Sequence, residues 1–299
     1  MTPLELCTTP GSYRWYYLDV SEGEWTAVAI FMVGSLFSSR YSKNHRDTVP
    51  TAHSAVNFAL YRSGRRIAWV LSEYADATLS GDTLHIGPSS FERSRSTGKV
   101  TARIVERTPW WPTPVQAELS LQPECAEVKS VTLVEGLSHQ WHPFAVRAHG
   151  EVNVASHDVK FAGAGYHDGN SGTRVLGTDL SGWSWMRTHA RESTTIEYRP
   201  HGAMPWRLDA KANDAQVQQT QLPPEATART RWGLTIPSRL GTLDAEPRLL
   251  ESSPFYARLE ARSGDVHALA ESGDFARFHS PLVRWMADFR THHSSGLKT

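Results

Sequence analysis

The chain has 299 residues, of which 39% are apolar and 21% charged, a composition typical of soluble globular proteins. Lys plus Arg and Asp plus Glu number 31 each, so there is no basic field to attract nucleic acid or an anionic membrane. With only two cysteines, Cys7 and Cys125, we expect no disulfide framework.

The first residues, MTPLELCTTPGSYRWYY, lack the basic segment and following apolar segment that mark a secretory signal peptide. The longest apolar run, from Ala27 to Phe37, is too short to span a bilayer. We therefore expect a cytoplasmic protein without a membrane-spanning segment.

Most apolar runs are short, rich in β-forming residues and separated by clusters of turn residues such as SGR, SGD and HDGNSG. Near the middle of the chain, Val152 and Val154 alternate with Glu151 and Asn153, which is the period of a half-buried strand. Many short strands at hairpin spacing predict an all-β fold of sandwich or barrel type.

Two later segments differ from this strand pattern. The polar segment from Arg207 to Thr230 fits either a long loop or an exposed hairpin. In HSPLVRWMADFR, Ser280 can cap a helix and Pro281 suits its first position. The spacing predicts a short C-terminal helix with four apolar side chains on one face: Leu282, Trp285, Met286 and Phe289.

Fourteen histidines raise the question of a metal site. His139 and His142 are three residues apart, but on a strand that spacing sends the two rings to opposite faces. A set of carboxylates or thiolates at ligand spacing is also missing from the sequence, so we predict no metal site.

The stretch AGAGYHDGNSG, from Ala162 to Gly172, concentrates Tyr, His and Asp between small residues. Taken alone, it favours a polar turn in which Asp168 bonds to its own backbone. If the strand continues, however, Tyr166 and Asp168 point to the same face and His167 points away.

Several sequence blocks, in their order, resemble the carotenoid 1,2-hydratase (hydroxyneurosporene synthase) family. Together they span nearly the whole chain, which makes the ordered set specific. The blocks are YRWYYLDVSEGEWTAVAIFMVGSLFSSRY, HQWHPFAVRAHGEV, GAGYHDGNSG, LSGWSWMRTHA, SPFYARL and VHALAESGDFARFHSPLVRWMADFR.

The resemblance implies a fold of two lipocalin-like β domains, shared with distant relatives that include fungal Diels–Alderases. We place these domains at residues 1–150 and 151–299, with the C-terminal helix in the second and the active site near their junction. The implied activity is addition of water to the terminal trisubstituted double bond of an acyclic carotenoid, without a cofactor.

The family's proposed catalytic residues match His139 and Trp141, then Tyr166 and Asp168. Burial favours the neutral form of a carboxylic acid, so Asp168 could protonate the alkene. The ring of Trp141 could stabilise the resulting tertiary cation. Tyr166 could donate its hydroxyl to Asp168 or steady the cation, and His139 could orient Asp168 or hold the water.

A polyene substrate requires a long apolar groove, and the chain contains eleven tryptophans. Trp183, Trp185, Trp110 and Trp111 are candidates to line such a groove, although core packing would equally explain them. Since carotenoids reside in membranes, we expect transient contact with a membrane surface through an apolar lip.

Two other functions remain open at the level of sequence. The chain is shorter than full-length family members, mainly in its loops, so the substrate could be another isoprenoid. A cation that meets no positioned water can cyclise or lose a proton, which would make the protein an isoprenoid or polyketide cyclase. A non-catalytic, lipocalin-like lipid-binding protein is the third possibility.

Overall fold

The computed structural model describes residues 3–125, 127–133, 139–212 and 214–294. Within these ranges the chain is built almost entirely from strands, with a few short helices. The strands are β1 (Tyr13–Glu22), β2 (Trp25–Val33), β3 (Ser54–Arg62), β4 (Arg65–Tyr74), β5 (Thr78–Ser80), β6 (Thr83–Ile86), β7 (Ser89–Arg93), β8 (Val100–Arg107), β9 (Pro114–Pro123), β10 (Val131–Thr132), β11 (Gln140–Val154), β12 (Val159–Gly172), β13 (Gly182–His189), β14 (Ser193–Pro200), β15 (Trp206–Lys211), β16 (Asp214–Gln219), β17 (Thr227–Arg229), β18 (Thr235–Pro237), β19 (Arg248–Ser252), β20 (Tyr256–Ser263), β21 (Val266–Asp274) and β22 (His292–His293). The α-helices are α1 (Ser39–Asn44) and α2 (Pro281–Phe289), and 3-10 helices cover Pro50–His53, Ala155–His157 and Phe275–His279.

Thirteen of the described strands form a first sheet, with β1 between β2 and β12. Its order is β22-β4-β3-β2-β1-β12-β11-β9-β8-β7-β6-β5, and β10 pairs with β11. The sheet curls on itself, because Leu18 of β1 and Phe31 of β2 share one apolar core with Phe91 of β7 and Leu119 of β9. This curled sheet has the half-barrel shape of a lipocalin-like domain.

The second sheet has seven strands in the order β16-β15-β14-β13-β21-β20-β19. It covers the outer face of the first sheet, since Ile30 and Trp141 of the first sheet lie in one core with Trp183 and Leu269 of the second. The predicted all-β, lipocalin-like fold is therefore confirmed, and the space between the two sheets is the part of the molecule that positions the candidate site.

The division of the chain at residue 150 stays a prediction. Residue 150 lies inside β11, which pairs with both β9 and β12. Strand β12 in turn pairs with β1, so the first sheet draws on residues from both sides of that position. A site near the predicted junction of the two domains would lie in the space between β12 and the second sheet.

The polar segment and the predicted C-terminal helix form a hairpin and a helix, respectively. The polar segment from Arg207 begins with a hairpin of β15 and β16, in which Lys211 pairs with Asp214. The C-terminal helix is confirmed as α2, with Ser280 as its N-cap residue and Pro281 in its first turn. Its predicted apolar face, however, points largely to solvent: three of its side chains are about 60% exposed, namely Leu282, Trp285 and Phe289. No helix in the described ranges has the length and apolarity needed to cross a membrane.

Candidate active site

Strand β12 carries the central part of the AGAGYHDGNSG stretch and alternates its side chains between two cores. Tyr166 faces the second sheet, and Asp168 lines a cavity on the same side. His167 faces the opposite way, where its Nδ1 lies 2.7 Å from the Tyr17 carbonyl oxygen and its ring stacks on Phe144. The alternation expected for a strand thus separates His167 from Asp168.

Asp168 is held by two neutral donors that belong to the predicted site. Trp141 Nε1 and the Tyr166 hydroxyl each donate a hydrogen bond of 2.7 Å to the same oxygen, Asp168 Oδ2. Trp141 comes from β11 and Tyr166 from β12 itself, two residues before the carboxylate. Because Oδ2 accepts both hydrogen bonds, an acidic proton is left for Oδ1.

The surroundings of Asp168 favour its protonated form. Desolvation by burial raises the pKa of this carboxyl to about 7, and the hydrogen bonds from Tyr166 and Trp141 oppose that rise. The negative charges of Glu271 and Asp19 raise it further. A carboxylic acid that holds its proton near neutral pH can act as a general acid.

His139 takes a different position from the other three predicted residues. It precedes β11, is buried, and packs its ring 5.6 Å from Tyr13 and 6.2 Å from Trp15. Burial, followed by the neighbouring His142, lowers the pKa of His139 to about 3, so the ring is neutral. Trp15 lines the cavity that contains Asp168, which leaves His139 one side chain behind the cavity wall.

A first cavity of about 40 Å³ lies beside Asp168, between the two sheets. Its polar lining consists of Asp168, Asn170 and Glu271. The rest is apolar or aromatic, and Trp183 and Trp185 are both part of the wall, as the sequence predicted for a groove. The other aromatic residues of the wall are Trp15, Tyr17, Phe37, Tyr198 and Tyr256.

A second cavity of about 280 Å³ adjoins the first, because Phe37 and Tyr256 line both. Trp110 lines this second cavity and donates its indole N–H to the Phe289 carbonyl oxygen at 2.8 Å. Trp111 is outside both linings and is 83% exposed. Of the four tryptophans predicted for the groove, two therefore lie beside Asp168, one lies in the adjoining cavity, and Trp111 lies on the surface.

Several residues of the first cavity were missed at the level of sequence. Asn170 shares the strand parity of Asp168, which could have indicated it. Glu271 interrupts the apolar strand HALAESG, and a charge inside such a run is an informative signal. Tyr17 and Tyr198 could not be found in this way, because only the sheet pairing brings β1 and β14 to the site.

Together, the lipocalin-like fold and this site define a class of protein: an all-β scaffold with a buried carboxylic acid at the end of an aromatic cavity. The aromatic walls suit an apolar ligand and tolerate positive charge. The three polar groups at the cavity end suit a water molecule. Such a site places a proton donor next to an apolar ligand.

Comparison with known proteins identifies the family. The family model described as carotenoid hydratase CrtC matches residues 29–298. An acyclic carotenoid 1,2-hydratase from Thiocapsa roseopersicina is 30% identical, over 98% of this chain and 76% of that protein. Another from Cereibacter sphaeroides is 32% identical, over 89% of this chain and 98% of that protein.

The structural comparison agrees on the fold. The crystal structure of kievitone hydratase from Nectria haematococca superimposes with a TM-score of 0.53 at 11% identity, covering 89% of each chain. The chain belongs to the carotenoid hydratase family, and it is an enzyme of the hydro-lyase class.

Proposed function

We propose that this enzyme adds water to the terminal trisubstituted double bond of an acyclic carotenoid or a related isoprenoid, without a cofactor. The observation that carries the proposal is the position of Asp168: a carboxylic acid whose pKa is raised to about 7, at the end of an aromatic cavity. The names of the related proteins support the choice of substrate class.

The proposed reaction begins with transfer of the Asp168 proton to the less substituted alkene carbon. The π bond breaks as the new C–H bond forms, and the more substituted carbon becomes a tertiary cation. Water then bonds to that carbon and releases one proton to a base, which gives a tertiary alcohol, and the Asp168 carboxylate takes up a proton to complete the cycle. The hydrogen bonds from Trp141 and Tyr166 stabilise the Asp168 carboxylate formed in the first step.

The aromatic wall supports the cationic intermediate. Rings of Trp15 and Trp183 lie 6.1 Å apart, and Tyr17 packs edge-on against Trp185 at 5.6 Å. Each ring face that meets the cation contributes about 0.5–2 kcal/mol of stabilisation. In this proposal Tyr166 acts mainly through its hydroxyl, whereas His139, neutral and behind Trp15, keeps that part of the wall in place.

The long polyene would lie in the second cavity and reach Asp168 past Phe37 and Tyr256. The first cavity, at about 40 Å³, accommodates water and the very end of a chain only if these two side chains move aside. The second cavity, at about 280 Å³ and rich in aromatic residues, suits the apolar body of the substrate.

We also propose that a membrane surface delivers the substrate at the mouth of the second cavity. Three exposed aromatic residues form an aromatic lip there: Trp110, Trp285 and Phe289. Trp111 follows Trp110 in the chain and is 83% exposed. Trp110 and Phe289 have ring centroids 5.4 Å apart, and Phe289 stacks on Trp285 at 5.7 Å. Arg66 and Arg231 line the same cavity and complement anionic headgroups, whereas Arg290 there pairs with Glu251 at 3.3 Å.

The double variant Trp111→Ser, Trp285→Ser is expected to bind vesicles containing anionic lipid at least about tenfold more weakly, because each indole contributes about 1.5–3 kcal/mol when buried in lipid. Co-sedimentation with such vesicles measures the change. The matched control is Met204→Ser, which removes an exposed apolar side chain outside the second cavity. Equal vesicle binding by the double variant and the wild type would contradict the assignment of the lip.

Incubation of the enzyme with lycopene or neurosporene in water labelled with ¹⁸O tests the reaction. We expect product mass spectra that show the gain of one water and carry the label in the new hydroxyl. A product of unchanged mass would point to a cyclase, and binding without any product would point to a lipid-binding protein. Either result would overturn the proposed hydration of these substrates.

A further inference from the structure

The first cavity contains a second carboxylate that the proposed reaction has not yet used. Glu271 lies on β21 of the second sheet, while Asp168 lies on β12 of the first, and both line the same small space. Glu271 is 7% exposed. Two acidic side chains thus reach one cavity from opposite sheets.

The partners of the two carboxylates differ in charge. Glu271 Oε1 accepts a hydrogen bond of 2.9 Å from Nε of Arg258, so Glu271 is part of a buried ion pair. Arg258 is itself fully buried and also donates to the Tyr61 hydroxyl at 3.0 Å. Asp168, in contrast, accepts hydrogen bonds from neutral donors. Paired carboxylates in such opposed environments commonly divide the roles of acid and base.

We infer that Glu271 is the base that accepts a proton from the attacking water, so that the cation formed at Asp168 is captured as an alcohol. This inference rests on the proposed hydration reaction. It assigns Glu271 to the second half of that reaction, whereas Asp168 performs the first.

The step balances without any further reactant. The water oxygen forms a bond to the cationic carbon, one O–H bond of that water breaks, and its proton passes to Glu271. A protonated alcohol is a far stronger acid than a carboxylic acid, so a carboxylate held by Arg258 is basic enough. Transfer of the proton through solvent from Glu271 to the Asp168 carboxylate then restores the enzyme.

The cavity has the size and polar groups to hold that water. Its volume of about 40 Å³ exceeds the ~10–15 Å³ that one water requires. Asn170 provides a further polar group on the wall and accepts a hydrogen bond of 3.3 Å from the Tyr198 hydroxyl through its Oδ1. The charge of Glu271 also favours a cation nearby and contributes to the raised pKa of Asp168.

The test separates protonation of the alkene from capture by water. Enzyme and substrate are incubated in D₂O at about pH 5, well below the pKa of about 7 of Asp168, so that the acid of the wild type is mostly protonated. Hydrated product is measured by mass, and deuterium in recovered or isomerised alkene reports reversible protonation. In Glu271→Gln we expect hydration to fall about 100-fold, while deuterium exchange persists. Asp168→Asn should lose both reactions.

Glu271→Asp provides rescue and a second readout. The aspartate keeps a negative charge beside Arg258, but its side chain is one methylene shorter and reaches less far into the cavity. We therefore expect slower hydration than in the wild type and a higher ratio of deuterium-exchanged alkene to alcohol. Two results in Glu271→Gln would overturn the role of Glu271. One is hydration at the wild-type rate, and the other is loss of both deuterium exchange and hydration in a variant that remains folded. An unchanged ratio of alcohol to exchanged alkene in Glu271→Asp would also overturn it. Absence of hydration in the wild type would instead refute the proposed function.

Discussion

Replacement of Asp168 by Asn is expected to reduce turnover by about 10²–10⁴-fold, the usual contribution of a positioned general acid. The amide cannot protonate an alkene, but it has the size of the protonated carboxyl. Its carbonyl oxygen can accept the hydrogen bonds that Trp141 and Tyr166 now donate to Oδ2. Activity should therefore fall without loss of the fold.

The measurement is the initial rate of substrate conversion, together with thermal unfolding of each variant. Asp158→Asn is the matched control, because it makes the same chemical change in an exposed turn where the backbone is left-handed and Asn is tolerated. Full activity in Asp168→Asn would remove Asp168 from the mechanism. A collapse of thermal stability in that variant would show that the carboxyl is chiefly structural.

The pH profile of kcat/KM is expected to be limited on its alkaline side by Asp168, with a midpoint near 7. The acid must be protonated to act, so activity should fall about tenfold per pH unit above that midpoint. The cause is burial of the carboxyl, opposed by the Tyr166 and Trp141 hydrogen bonds and reinforced by Glu271 and Asp19. Measurement of kcat/KM between about pH 5 and 9 tests this expectation.

Tyr166→Phe tests whether the alkaline limb of the pH profile reports Asp168 or Asp19. Burial raises the pKa of Asp19 to about 6 despite its ion pair with Arg187. Removal of the hydroxyl takes away a hydrogen bond that lowers the pKa of Asp168, so the alkaline limb should move to higher pH. A limb that stays in place would assign the titration to another group.

Stability should follow the same titration with a definite sign. Because the folded-state pKa of Asp168 is raised, its contribution to stability is present below about pH 4 and lost as the pH rises through 7. A shift from 3.8 to about 7 corresponds to roughly 4 kcal/mol. Asp168→Asn removes this dependence. The free energy of unfolding in urea should therefore fall from pH 5 to pH 8 by more in the wild type than in the variant. A difference independent of pH would contradict the raised pKa.

Family resemblance and strand alternation together predicted the residues that meet at Asp168. Tyr166 and Asp168 share a face of β12, and Trp141 lies in the neighbouring strand β11, whose register brings it beside them. His139 illustrates the limit of this reasoning. Its parity with Trp141 correctly places it on the same side of the sheet, but it precedes the strand and packs on Tyr13 and Trp15, away from Asp168.

Residues from distant parts of the chain could not be assigned in this way. Alternation shows which side chains share a face but not what covers that face. Glu271 reaches the cavity, and Arg258 pairs with it, because β20 and β21 lie next to β13 in the second sheet. The same limit applies to α2, whose apolar face was predictable from its spacing, whereas its exposure beside Trp110 was not.

The sequence by itself therefore determined the all-β class, the C-terminal helix and the local grouping of Tyr166, Asp168 and Trp141, because these depend on short-range periodicity and on recognisable motifs. Only the tertiary structure decided the raised pKa of Asp168. That property arises from desolvation where the second sheet covers β12, and from the charges of Glu271 and Asp19. Both residues are far from Asp168 along the chain. Asp19 comes close because β1 pairs with β12 within the first sheet, and Glu271 comes close because the second sheet packs on the first.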